Sequence, residues 1–309
     1  MSDQSYIVQF IHPGGEQRPD DGLVRQWNRG PHKRKFLKQK GKYVDGKLEQ
    51  GDIVFWGEWE PESRLVENIV DPLLHGPRFL YEPYYFVPQS YRGLENTDPF
   101  VFGETFYYIW CLQKGKPSLR NLPRGSVILF GSCEDKNAFV LDTVFVVDRW
   151  IDHNRTNYKT VLAGAVPREY EEVTIFSGYE AICGEEKSCS SAATQGWRLY
   201  FGATCDNLIN GMHSFFPCQI YEPRSKGFAR PRIALPQITG GLNRGIKLSR
   251  LASLDEMKTL WDIVVGQVRS HRLALGVYAE MPERRLKDGH SFGGSQGNRE
   301  AAAQTGTCL

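Results

Sequence analysis

The sequence predicts an α+β, β-rich fold with one long amphipathic helix towards its C-terminal end. Three observations carry that prediction. β-branched and aromatic residues gather in short runs, and glycine and proline interrupt them. A single sustained 3.6-residue apolar period follows Ser253. The 309 residues are 40% apolar and 24% charged, enough to bury the core of one large domain or two ordinary ones.

The elements follow in chain order. Residues 5–11 (SYIVQFI) form a first strand, which His12-Pro13-Gly14-Gly15 turns away from its ladder. Residues 31–43 are a charge run with six Lys/Arg and no acid. Gly51 launches the strand Asp52-Ile53-Val54-Phe55-Trp56, and Pro61 ends its pairing. Residues 78–87 are aromatic, with Pro83 marking an edge or bend. Residues 106–112 (FYYIWCL) make another strand. Gly125 starts Val127 to Phe130, and Ala138 to Val147 (AFVLDTVFVV) is the clearest strand of the chain. Residues 167–182 fit either a short helix or a strand with an acidic entry. Residues 196–202 and 213–221 are strand-like, and 223–250 suit a Pro/Gly-rich basic loop. Ser253 and Glu256 then form a capping box that opens a helix over about 253–272. Met257, Leu260, Trp261, Val264, Val265 and Val268 lie on its inner face, and Gly276 marks its latest end.

This order places a β-barrel-like domain at 1–160, an α+β domain at 161–281 and a polar, disordered tail at 282–309. The 38 Lys+Arg against 36 Asp+Glu leave a net charge of +2, so the basic residues matter by position rather than by total. No run approaches the apolar length of a membrane span, and the first residues lack the pattern of a secretory signal. These features point to a soluble, cytoplasmic chain with no membrane partner. Seven cysteines, an odd number without a signal, argue for reduced thiols. Cys183, Cys189, Cys205 and Cys218, with His213, are the candidate metal ligands, and zinc is the cofactor such a set would hold. Their spacing is wider than structural zinc sites use, and buried free thiols are the competing reading.

The segment Gly125 to Val147 joins a glycine-started apolar strand to a longer one through Gly131-Ser132 and a polar turn. With Gly51-Asp52-Ile53-Val54-Phe55, it resembles the strand pair of the PUA-like superfamily, which includes the ASCH, EVE, YTH and SRA domains. The resemblance covers about a third of the chain and implies a PUA-like barrel in the first half. It also implies a grip on nucleic acid that reads a modified base, as in DNA-modification and phage-defence systems.

The chain's own residues supply four constellations. Lys33, Arg34 and Lys35 in the first basic run, and Arg224, Lys226, Arg230, Arg232, Arg244 and Lys247 in the second, are candidate phosphate contacts. Between the runs, Trp56, Trp59, Tyr84 and Tyr85 are candidate base-stacking residues. Solvated charge and aromatic core are the plainer readings of both. In the run Trp56 to Glu60, Trp56, Glu58 and Glu60 share a strand face, with a polar strand end as the alternative. His12 with Glu16 at the first turn is a candidate acid–base pair, and Cys205 with His213 a candidate thiol and base. The glycine turn lacks the length and lysine of a P-loop, which excludes nucleotide hydrolysis there. Together these residues point to a DNA- or RNA-binding protein that recognises a modified or flipped base. An enzyme that edits a nucleobase with a thiol or metal-activated water is the alternative. A protein-interaction scaffold is the third class, favoured if the aromatics fill the core.

Overall fold

The computed structural model describes residues 5–12, 14–21, 33–87, 97–134, 138–183, 196–239 and 244–286. In chain order the first strands are β1 (Ser5–Ile11), β2 (Lys35–Asp45), β3 (Lys47–Gly57), β4 (Ser63–Asn68) and β5 (Phe79–Val87). They are followed by β6 (Tyr107–Tyr108), β7 (Val127–Glu134), β8 (Ala138–His153), β9 (Trp197–Gly202) and β10 (Phe216–Ile220). The last are β11 (Arg232–Ile233), β12 (Gly245–Leu251), β13 (Ala274–Ala279) and β14 (Glu283–Leu286). The helices are few: α1 (Tyr158–Val161), α2 (Arg168–Tyr170), α3 (Phe176–Cys183) and α4 (Leu254–Ser270). A π-helical turn, Glu171–Ile175, joins α2 to α3.

The strands form two mixed seven-stranded sheets. The first runs β12-β1-β7-β8-β9-β6, with β11 also on β8. The second runs β13-β10-β3-β2-β5-β14, with β4 also on β5. β13 pairs with β2 as well as β10, so the second sheet folds back on itself. Gly41 in β2 permits that approach. A Cβ there would lie 2.5 Å from Tyr278 O and 2.4 Å from an Ile53 methyl. β8 is the spine of the first sheet. Its nine residues Phe139 to Val147 are all buried, on both faces, which is why that run is continuously apolar rather than alternating.

Several expectations are corrected. β7 and β8 pair antiparallel as the sequence suggests, but they belong to an open mixed sheet and no closed barrel is shown among the described residues. Both sheets draw strands from either side of residue 160, so that boundary does not separate them. Of residues 106–112 only Tyr107–Tyr108 is strand, and 167–182 is helical. Pro83 lies inside β5 and pairs with Ser63, so it marks no free edge. The basic loop contains β11 and β12, and β12 pairs along the whole of β1. Pro282 is buried and residues 283–286 form β14, parallel to β5, while 287–309 lie outside the described residues.

Ser253 caps α4 by accepting from Glu256 N–H at 3.1 Å. Met257, Leu260, Trp261, Val264, Val265 and Val268 are buried along one face of α4. They join Leu129, Val144 and Val146 of the first sheet and Leu275 and Val277 of the second in one apolar cluster. Burying each such side chain is worth about 2 kcal/mol before ordering costs. The helix therefore ties the two sheets together, and they also meet where β1 and β3 end.

Candidate functional site

At that junction four charged or titratable side chains converge. His12 follows the end of β1 and Asp142 sits in β8, both from the first sheet. Arg34 precedes β2 and Glu58 follows β3, both from the second. Arg34 Nε donates to Asp142 Oδ2 at 2.8 Å, one terminal nitrogen to Glu58 Oε1 at 3.1 Å and the other to His12 O at 3.3 Å. His12 Nδ1 lies 2.9 Å from Glu58 Oε2. An ionised carboxylate only accepts, so Nδ1 donates to Glu58, and Nε2 is the nitrogen that can take up a proton whenever the ring is neutral. All four side chains are buried. Arg230, from the second basic run, adds a guanidinium 3.4 Å from Asp142 Oδ1 and donates to Ser132 Oγ at 2.7 Å.

Local structure explains the convergence. Phe130 pairs with Thr143 and Gly131 with Leu141, so Asp142 is the extra residue of a β-bulge, which re-aims its side chain. A Cβ at Gly131 would lie 2.1 Å from Val140 O, so the bulge requires glycine there. The segment after His12 runs beside Arg34, with Arg34 N–H donating to Gly15 O at 2.9 Å and Gln17 N–H to Arg34 O at 2.8 Å.

The network balances two guanidiniums against two carboxylates, so it is neutral while His12 is neutral. Burial opposes the Arg34 charge, but Glu58 and then Asp142 outweigh it and raise the pKa of the guanidinium. A partly enclosed cavity of about 10 Å³, close to the size of one water, is lined by His12, Arg34, Glu58, Asp142 and Thr143. Pro99, Val101 and Phe130 form its apolar wall. Next to Pro99, Asp98 is fully buried and accepts from the N–H groups of Ile109, Trp110 and Cys111 at 2.8–3.0 Å. Burial pushes its carboxyl up to about 7 despite those three donors.

Of the candidate catalytic residues, only His12 lies in this network. Its carboxylate is Glu58, not Glu16. Glu16 instead accepts from the N–H groups of Arg78 and Phe79 at 2.7 and 3.0 Å. Cys205 and His213 share no hydrogen bond. Burial pushes the Cys205 thiol up, away from the reactive thiolate, and His213 Nδ1 faces Ser214 O beside Trp261. Cys218 is buried in β10 with its thiol raised by burial. Cys189 and the side chain of Cys183 lie outside the described residues. Among the described residues no three His, Cys, Asp or Glu side chains group as metal ligands.

The stacking candidates are mostly core. Trp56 is buried and donates to Phe228 O, Trp59 is buried and donates to Glu62 O, and Tyr85 is buried with its hydroxyl on Glu172. Tyr84 is half-buried, with the Arg285 guanidinium 3.9 Å from its ring centroid. The basic candidates divide. Arg34 and Lys35 are buried, and Lys35 Nζ donates to Pro61 O and Ser63 Oγ. Lys33 pairs with Asp21, Lys226 with Asp71 and Arg232 with Glu134. Arg224, Arg244 and Lys247, with Arg250, have no ion pair among the described residues. Gly245 pairs with Ile11, so Arg244 and His12 both lie at the same end of the β1–β12 ladder.

Sequence reading missed Glu58 as the partner of His12, and it missed Asp142 and Asp98. A signal for Asp142 was present: it is the lone acid inside AFVLDTVFVV, and a carboxylate at the centre of a buried strand needs a partner. The chain matches no known family model, curated protein or solved structure. No helix among the described residues is long and apolar enough to cross a membrane.

Proposed function

We propose that the protein engages nucleic acid along its second basic run and performs acid–base chemistry on a base held at the mouth of the His12 cavity, whose volume of about 10 Å³ takes the attacking water but not the base. The observation that supports this reading is the meeting of that run with a buried His12–Glu58 pair. Arg230 reaches the same carboxylate network, and Arg244 lies at the same end of the β1–β12 ladder as His12. In a hydrolytic step, water adds to an electrophilic ring carbon while His12 Nε2 takes its proton. The imidazolium then returns that proton to the leaving nitrogen, so one water is consumed and nothing is oxidised. Glu58 steadies the imidazolium, and Arg34 is a positioning residue that holds Glu58. Burial of Trp56, Trp59 and Tyr85 takes an aromatic base cage out of this proposal.

The test incubates the full chain with DNA and RNA carrying modified bases, measures anisotropy at two salt concentrations and analyses the nucleosides by mass spectrometry. Wild type should bind in a salt-sensitive way and alter at least one nucleoside. His12→Asn should bind equally but react about 10²-fold or more slowly. Absence of salt-sensitive binding to every substrate overturns the reading. Binding with an unchanged nucleoside profile leaves recognition without chemistry, which the cations lacking ion pairs also support.

A further inference from the structure

Val70, Leu73 and Leu74 are 84%, 46% and 85% exposed, at the turn between β4 and β5. The turn is held in place. Ile69 N–H donates to Arg78 O at 2.9 Å and Gly76 N–H to Leu73 O at 2.8 Å. The Glu16 carboxylate clamps its base through Arg78 and Phe79 N–H. Asp71 and His75 adopt left-handed φ values of 54° and 61°, which non-glycine residues rarely hold. Side chains anchor both. Asp71 meets Lys226 Nζ at 2.5 Å, and His75 Nδ1 lies 3.1 Å from Glu134, the carboxylate that also binds Arg232. A braced turn therefore holds three aliphatic side chains in solvent, an arrangement that favours a partner to cover them.

We propose that Leu73 and Leu74 form a wedge that enters the base stack of duplex nucleic acid beside the target nucleotide. This rests on the nucleic-acid reading above. Aliphatic side chains inserted at a base step unstack it, and chemistry on a base requires that base to leave the stack. Lys226 and Arg232 of the second basic run are held by carboxylates on the flanks of this turn. Arg224, which has no ion pair among the described residues, lies in the same stretch, so it would supply the phosphate contact that borders the wedge. Glu16, four residues beyond His12, braces the turn, which gives wedge and cleft a shared support. The tip holds no Trp, Tyr or Phe, the side chains that usually anchor a protein in a lipid interface.

The test uses duplex oligonucleotides with 2-aminopurine at the target step, whose fluorescence rises on unstacking. Wild type should raise it several-fold. Leu73→Ser with Leu74→Ser should bind with an unchanged salt slope and melting temperature but lose most of that rise. A rise equal to wild type overturns the wedge and leaves the nucleic-acid reading standing. So does loss of binding to phosphatidylserine vesicles without any change in 2-aminopurine signal, which assigns the tip to lipid. If wild type shows no salt-sensitive binding to any duplex, the nucleic-acid reading fails and the wedge fails with it.

Discussion

Arg34→Met removes the guanidinium that joins the two sheets while keeping a long, flexible side chain in the same space. The side chains of Arg34, Glu58 and Asp142 are only 2%, 4% and 6% exposed, so water screens neither carboxylate once the cation is gone. Removing one partner of a buried ion pair costs about 3–5 kcal/mol, because the remaining charge stays desolvated. Met fills much of the volume, so the packing loss adds less than that. Against a total stability of about 5–15 kcal/mol, the variant should lose a large fraction of its folding free energy. Urea unfolding followed by far-UV circular dichroism measures the loss. Adding Glu58→Gln to Arg34→Met should recover most of it, since Arg230 still balances Asp142, the amide carries no charge, and its oxygen can accept from His12. A loss under about 1 kcal/mol, the value of an exposed pair, refutes the argument. So does an Arg34→Met, Glu58→Gln double variant no more stable than Arg34→Met alone.

Two further predictions concern pH. Asp98 is raised to about 7 by burial, so the folded protein keeps a proton that the unfolded chain releases near the ordinary carboxylate value. Its contribution is complete below about 4 and is lost as pH rises to about 7, at up to about 1.4 kcal/mol per pH unit. Asp98→Asn should flatten that part of the stability–pH curve, measured as urea midpoints at pH 5, 6 and 7. An unchanged slope excludes Asp98 as its source. His153 behaves in the opposite sense. Burial lowers it to about 4, and its Nε2 has no hydrogen-bond partner while Nδ1 faces the Tyr179 hydroxyl. The unfolded chain therefore takes up a proton first, and the contribution present above about pH 6.5 is lost as pH falls towards 4. His153→Phe should unfold at lower pH than wild type in an acid titration followed by circular dichroism. Equal midpoints reject the assignment.

Most elements whose residues bury a regular pattern were legible. The apolar runs of β1, β7, β8 and β9 and the capped stripe of α4 carry their periods in the sequence. β12 and β14 were not legible. Gly245 to Leu251 mixes apolar and charged residues and is mostly half-buried, and it becomes a strand because β1 offers it an edge more than two hundred residues away in sequence. The short Glu283–Leu286 segment likewise depends on β5. The helical reading of 167–182 was open because a three-residue α-turn, a π-helical turn and α3 share no single period.

By itself the sequence determined where His12 sits, that a basic stretch covers 224–250, and that β8 must be buried. It could not say which charges remain available. Only the tertiary structure decided that Arg34, Lys35 and Arg230 turn inward while Arg224, Arg244 and Lys247 form no ion pair among the described residues. It also exchanged Glu16 for Glu58 beside His12. The reason is physical. Side-chain periodicity is set by neighbours along the chain, and any run of residues displays it. An ion pair depends on which backbones approach in space, and here Arg34 reaches Asp142 across 108 positions while His12 reaches Glu58 across 46. No local pattern encodes such a distance, because the sheet packing creates it.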